Sequence, residues 1–340
     1  MNTAISFIIT AMVFIAVSSN AQDKTNSNPA GPGSYKILSS NNGSVEIPFR
    51  MHKKKPVMDL EINGKKAALM IDNGVLWDEI WLFGSPLVEE LNLKPVKDDG
   101  LEEVGNDNPV SLYHSEDLTL KFDNIIFYDQ PVLVSPAAAG FARMFPGTDG
   151  QLCNTFFKHF IVEFDFIKNK IILHKPDQFK YEGKGCVLDL QLTESGAYSI
   201  PFEITTIDGK IVKDRANIDL GGIHSFVVAL NTVYNIQPPP GSKTRPAFAG
   251  TEYIGKIESM KIGDYTFNQP TVVFGDEKTF RVYPKNIGMI GLPLFMKFNI
   301  IFDYFNNKVY LEFGHRLKIF ATRAFLGRES ICRNLNLTAE

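Results

Sequence analysis

The chain has 340 residues, of which 44% are hydrophobic, with a formal net charge of -3. That length allows two ordinary domains or one large one, and that apolar content supports a packed core, so wholesale disorder is not indicated. Charge is well mixed along the sequence with no basic stripe, which argues against a nucleic-acid partner.

The N-terminus reads as a secretory signal. An apolar run from Ala4 to Val17 is short for a bilayer span, and Ser19-Asn20-Ala21 supplies small residues for cleavage after residue 21. No Lys or Arg precedes the run, so an uncleaved anchor is the alternative. No later segment is long and apolar enough to span, so an exported chain, periplasmic or secreted, with no integral membrane segment once matured is expected. Residues 22–42 are rich in Ser, Asn, Pro and Gly and are expected to form a flexible leader.

From Gly43 onward short apolar or alternating runs are broken by turn residues, and long helical periodicity is scarce. Phe is abundant, with 27 in the chain, and sits in runs such as Phe160-Ile161-Val162-Glu163-Phe164. Such runs suit half-buried strands, so an all-β fold with many hairpins is expected. Three cysteines, Cys153, Cys186 and Cys332, leave at least one unpaired within the chain and have no metal-site spacing, and Cys153 reads as a small buried hydrophobe. Neither a metal nor a cofactor is expected.

An internal repeat organises the chain. Residues 150–173, GQLCNTFFKHFIVEFDFIKNKIIL, align without a gap onto 288–311, GMIGLPLFMKFNIIFDYFNNKVYL. Eight positions are identical: Gly150/Gly288, Phe157/Phe295, Phe160/Phe298, Phe164/Phe302, Asp165/Asp303, Asn169/Asn307, Lys170/Lys308 and Leu173/Leu311. Chance would supply only one or two, roughly. Both segments read as a Gly-flanked apolar strand, a short turn of helix and a hairpin turning at the Asn-Lys pair. Two copies of one fold are expected, with the first lobe over 43–177, the second over 178–314, and a tail of unassigned role over 315–340 in which a short helix is expected. Ile47-Pro48-Phe49 and Ile200-Pro201-Phe202 read as matching openings of the copies. Hairpin turns follow at Asn63-Gly64 and Asp208-Gly209.

The strand after each of these turns runs into an Asp followed two residues later by Gly: Asp72-Asn73-Gly74 and Asp219-Leu220-Gly221. A lone Asp-x-Gly at a strand end usually caps the next turn. Its recurrence at equivalent points of two copies points instead to a pair of carboxylates. Trp77 and Trp81 have the spacing of one face of a short helix, with a cleft lining as the alternative. His224, five residues after Asp219, is expected to have a surface role.

The pattern resembles the pepsin-like and retropepsin-like aspartic peptidases, closest to exported bacterial members with two short lobes. The resemblance covers roughly residues 45–313 and rests on the two Asp-x-Gly loops and on the later strands Gln151-Leu152-Cys153 and Met289-Ile290-Gly291. It implies a bilobal fold of two homologous β-barrel lobes with a cleft between them, a peptide or protein substrate, and a flap from about residues 100–113. It further implies that Asp72 and Asp219 share one proton and activate a water against the peptide carbonyl. The loops depart from the family's Asp-Thr-Gly or Asp-Ser-Gly: the Asn73 amide can donate in place of the hydroxyl, Leu220 cannot, and Cys153 stands where the second copy has Gly291. A peptide-binding protein on the same fold whose hydrolysis has faded is the alternative function.

Overall fold

The computed structural model describes residues 33–74, 80–96, 111–135, 142, 145–193, 196–230, 233–247, 250–276, 287–313 and 334–335. The expected signal, most of the expected flap, Trp77, Cys332 and the expected tail helix lie outside the described residues. The chain divides into two compact units between Lys180 and Tyr181. None of the described helices is long and apolar enough to cross a membrane.

The N-terminal unit contains β1 (Tyr35–Ile37), β2 (Ser44–Pro48), β3 (Arg50–His52), β4 (Lys55–Ile62), β5 (Lys65–Ile71) and β6 (Ile80–Leu82). After α1 (Pro86–Glu90) come β7 (Tyr113–Lys121), β8 (Ile125–Val134), β9 (Gly150–Leu152), β10 (Ile161–Asp165) and β11 (Lys170–His174). Its larger sheet has the order β1-β8-β6-β9-β5-β4-β3, with β7 pairing β4 and β8. In addition, β11 pairs antiparallel with both β10 and β2.

The C-terminal unit begins with β12 (Cys186–Asp189), β13 (Gln191–Leu192), β14 (Tyr198–Thr205), β15 (Ile211–Asp219) and β16 (Phe226–Ala229). It continues through β17 (Lys243–Pro246), β18 (Thr251–Lys256), β19 (Ser259–Ile262), β20 (Tyr265–Asn268), β21 (Thr271–Gly275) and β22 (Gly288–Gly291). The last elements are α2 (Leu292–Phe295), β23 (Phe298–Asp303), β24 (Lys308–Phe313) and β25 (Asn334–Leu335). Its sheet runs β17-β18-β21-β16-β22-β15-β14-β19-β20-β25, with β13 on β14, and β24 pairs antiparallel with β23 and β12.

The eight repeat identities each have a local cause. Added at Gly150, a Cβ would lie 2.2 Å from the Trp81 carbonyl oxygen, and at Gly288 it would lie 3.0 Å from the Phe226 ring. Phe157, Phe160, Phe164 and Leu173, with Phe295, Phe298, Phe302 and Leu311, are all buried. Each removes a large apolar surface from water, stabilising by about 1.5–3 kcal/mol when fully buried. Asp165 Oδ1 accepts the N–H groups of Ile167 and Lys168 at 3.0 and 2.9 Å, and Asp303 Oδ1 accepts that of Asn306 at 2.9 Å. These acids therefore hold turns. Asn169 and Asn307 close those turns at φ 53° and 54°, in the left-handed region that Asn tolerates. Lys170 and Lys308 then open β11 and β24 and pair with Glu46 and Asp189.

The predicted hairpins form with different turns. Asn63 and Gly64 both have positive φ, 47° and 78°, the two-residue turn that matches strand twist. In the second hairpin Gly209, at φ 83°, donates its N–H to the Thr206 carbonyl at 2.9 Å within a longer loop.

Three expectations need correction. The leader does not stay unstructured to Asn42: Tyr35–Ile37 pairs antiparallel with β8, and the Tyr35 ring lies 4.7 Å from Phe160 and 6.2 Å from Phe127. Three residues are too few to show alternation against a Ser/Asn-rich background. Trp81 sits on strand β6 with its indole N–H donating to Ser135 Oγ at 2.8 Å, so the helical reading of its spacing fails. The Ile-Pro-Phe openings are not equivalent either. Val45 pairs with Leu173 as Cys186 pairs with Leu311, so β2 corresponds to β12, whereas Ile200 lies on the hairpin strand β14.

Candidate functional site

The two units build the same scaffold around their Asp residues. In the N-terminal unit β5 lies parallel to β9, with Leu69, Met70 and Ile71 opposite Gly150, Gln151 and Leu152. In the C-terminal unit β15 lies parallel to β22, with Ala216 to Asp219 opposite Gly288 to Gly291. On the other side of β9, β6 runs antiparallel, with Trp81 opposite Gln151; β16 does the same to β22, with Val227 opposite Met289. Parallel strands β8 and β21 complete the match, Leu133 opposite Trp81 and Val273 opposite Val227. Through these registers Leu69 corresponds to Ala216, and Asp72 to Asp219.

The physical logic is common to both. The residues leading into each Asp, Leu69-Met70-Ile71 and Ala216-Asn217-Ile218, are buried because their strands have neighbours on both edges. A carboxylate at the end of such a strand is costly unless polar groups are supplied. Asp72 is half-buried, its own N–H donates to the Leu152 carbonyl at 3.0 Å, and Oδ1 accepts the Gly74 N–H at 2.9 Å. Asp219 is 1% exposed. Its carbonyl accepts the Gly222 N–H at 3.1 Å, and Oδ2 lies so near Gly222 that a Cβ there would sit 3.0 Å from it. Asn73 and Leu220, in the middle position of each loop, are 5% and 0% exposed. Gly74 is buried, and Gly221 is half-buried.

The backing strands differ in bulk. A Cβ at Gly291 would lie 2.2 Å from the His224 carbonyl oxygen, so the second copy has no space for a side chain there. The aligned Cys153 is wholly buried. Gln151, aligned with Met289, is 4% exposed, and its amide nitrogen has no hydrogen-bond partner among the described residues.

Sequence reasoning missed a charged cluster beside the second Asp loop. His224 is not a surface residue: its side chain is 14% exposed. Arg245 on β17 donates to His224 Nε2 at 2.6 Å and to Glu252 Oε2 on β18 at 2.7 Å through Nε and 2.5 Å through Nη2. Arg245 and Glu252 are direct cross-strand partners. The signal was available only as isolated charges, Arg245 and Glu252, on two short runs, because the pairing of those runs with each other, and with a loop about twenty residues earlier, is tertiary.

The fold is thus mostly β and of the aspartic-proteinase type, with one Asp-x-Gly loop on equivalent strands of each unit. Among solved structures, the chain is similar to an aspartic proteinase from Irpex lacteus at 15% identity and a TM-score of 0.52, over 80% of this chain and 97% of that one. It is also similar to basic 7S globulin from soybean at 14% identity and a TM-score of 0.46, over 79% and 95%. A third is conglutin gamma, a basic 7S globulin from lupine seeds, at 12% and 0.47, over 80% and 95%. Neither a protein-family profile nor a curated protein sequence matches the chain.

Proposed function

We propose that the chain is an aspartic-type endopeptidase, exported from the cell, that hydrolyses peptide bonds with a water activated jointly by Asp72 and Asp219. The observation carrying this reading is the register match: the two acids stand at equivalent ends of duplicated strands, each flanked on both edges by the same arrangement, in an aspartic-proteinase-like fold. In the reaction one carboxylate, ionised, takes a proton from the water as its oxygen attacks the peptide carbonyl. The other, protonated, donates to the carbonyl oxygen, and the pair then returns a proton to the leaving amine. The two acids act as a unit, and their apparent titrations belong to the pair. No cofactor enters this chemistry.

The second reading is a peptide-binding protein with faded hydrolysis, and Leu220 favours it. This side chain is buried and has no donor, whereas Asn73 retains an amide at the matching position. The test is to purify the mature chain, screen a peptide library from acid to neutral pH, and repeat with Asp72→Asn and Asp219→Asn. Cleavage by the native chain, lost in both variants, supports the peptidase. Peptide binding without cleavage at any pH supports the faded site.

A further inference from the structure

The loop that follows Asp219 is tied down at two places. On its backbone side, the Gly222 N–H returns to the Asp219 carbonyl, the Leu292 N–H donates to the Gly222 carbonyl at 3.1 Å, and the Gly291 N–H donates to the Ser225 carbonyl at 3.3 Å. The His224 carbonyl oxygen is so close to Gly291 that a Cβ there would lie 2.2 Å away. Gly291 is in turn the register partner of Asp219. On the side-chain side, His224 turns toward the β17–β18 hairpin and accepts from Arg245 at 2.6 Å, while Glu252 fixes the guanidinium through two of its nitrogens. With the Nε–H and one Nη2–H directed at Glu252, the guanidinium plane is fixed, and Nη2 also donates to the imidazole.

All three side chains are largely buried, at 14% exposed for His224, 13% for Glu252 and 29% for Arg245. That seclusion is unusual for surface ion pairs, whose stabilising effect is small. Glu252 lies 3.6 Å from His224 Nε2, outside hydrogen-bond distance, so Arg245 is the bridging group. The hairpin is anchored independently by Asp276, whose Oδ2 accepts the Thr251 N–H at 2.8 Å. It therefore forms a fixed post to which a loop can be tied.

We propose that His224 is a positioning residue: through Arg245 and Glu252 it clamps the loop that carries Asp219 against β22, and so sets where that carboxyl stands. The inference deepens the peptidase reading, but its first test does not depend on catalysis. Amide hydrogen exchange at Gly222, Gly291 and Leu292 reads the clamp directly, since each of these N–H groups holds the loop. In His224→Leu, which removes the acceptor while keeping bulk, their protection falls by about tenfold, the size expected for one lost charge-assisted hydrogen bond. In His224→Gln, whose side-chain oxygen can accept from Arg245, protection returns to near the native level. Arg245→Met, at the more exposed end of the cluster, reproduces the leucine variant and serves if that variant does not fold.

The kinetic arm follows on the peptide cleaved by the native chain. His224→Leu lowers kcat by about tenfold with KM within twofold, and His224→Gln restores it. Unchanged exchange at all three amides in both His224→Leu and Arg245→Met overturns the clamp. Lost protection with unaltered kcat shows that the clamp holds the loop but does not position the reacting group, which overturns the catalytic half. A native chain that cleaves nothing overturns the peptidase reading and leaves the exchange result to decide the clamp alone.

Discussion

The two units treat the same position in opposite ways. At the third residue after the shared glycine, the C-terminal unit has Gly291 pressed against the His224 carbonyl, while the N-terminal unit buries the larger Cys153. Two residues earlier, Gln151 is buried where the other copy has Met289. Strand registers around both Asp residues agree residue for residue, yet the packing behind them does not. The lesson is that duplication preserves what backbone hydrogen bonding specifies, because a one-residue slip would turn every side chain to the wrong face. Side-chain volume behind the site is free to drift, provided each unit compensates within itself.

The sharpest way to break the equivalence is at the proposed catalytic pair. Asp72→Asn and Asp219→Asn are each expected to lower the cleavage rate by roughly 10²–10⁴-fold, and by similar factors, because neither carboxyl can work alone. A variant retaining full activity in steady-state peptide cleavage would show that its unit contributes no reacting group.

Next in size are the swaps behind the site. Gly291→Ala drives a methyl into the His224 carbonyl and is expected to destabilise by about 3 kcal/mol, the upper end of ordinary overpacking. Cys153→Gly moves the first unit toward the second, leaves a small cavity and loosens the backbone, costing about 1–2 kcal/mol. Urea unfolding midpoints check both, and equal effects would show that the two backing strands are packed alike after all.

Gln151→Met places in the first copy the residue that the second copy uses. Because the Gln151 amide nitrogen is buried without a partner among the described residues, the change is expected to stabilise by about 1 kcal/mol in the same assay. A loss of stability would mean that the amide is satisfied in solution.

The smallest effect concerns His159 and Lys297, which align in the repeat. Burial, with a smaller contribution from Lys158, holds the His159 imidazole below its ordinary value of 6.5, and burial likewise lowers Lys297. For a histidine lowered in this way the unfolded chain takes up the proton first. Stability is therefore undiminished above about pH 6.5 and falls as the pH drops through the folded value. The Lys297 penalty applies throughout that window and lifts only at alkaline pH, so it adds no slope. His159→Phe, in a site already lined by Tyr35, Phe127 and Phe160, should shrink the difference in urea midpoint between about pH 7 and pH 5. A slope unchanged by the substitution would assign the acid sensitivity elsewhere.

Much of this protein could be read before any coordinates. Alternating and apolar runs, the Asn63-Gly64 turn and the repeat of 150–173 in 288–311 define a duplicated β fold, because those features act over a few residues or through self-similarity. The equivalence of Asp72 and Asp219 was legible for the same reason: each stands at the end of a buried strand at the matching place. The Ile-Pro-Phe matches and the helical reading of Trp81 misled, since short motifs recur by chance and a spacing of four fits both periods. What tertiary structure alone decided is which strands lie beside the Asp strands, which glycines lack space for a side chain, and that Arg245 and Glu252 reach His224. Those facts depend on contacts between segments far apart in sequence, and no local pattern of residues encodes the distance at which two folded surfaces meet.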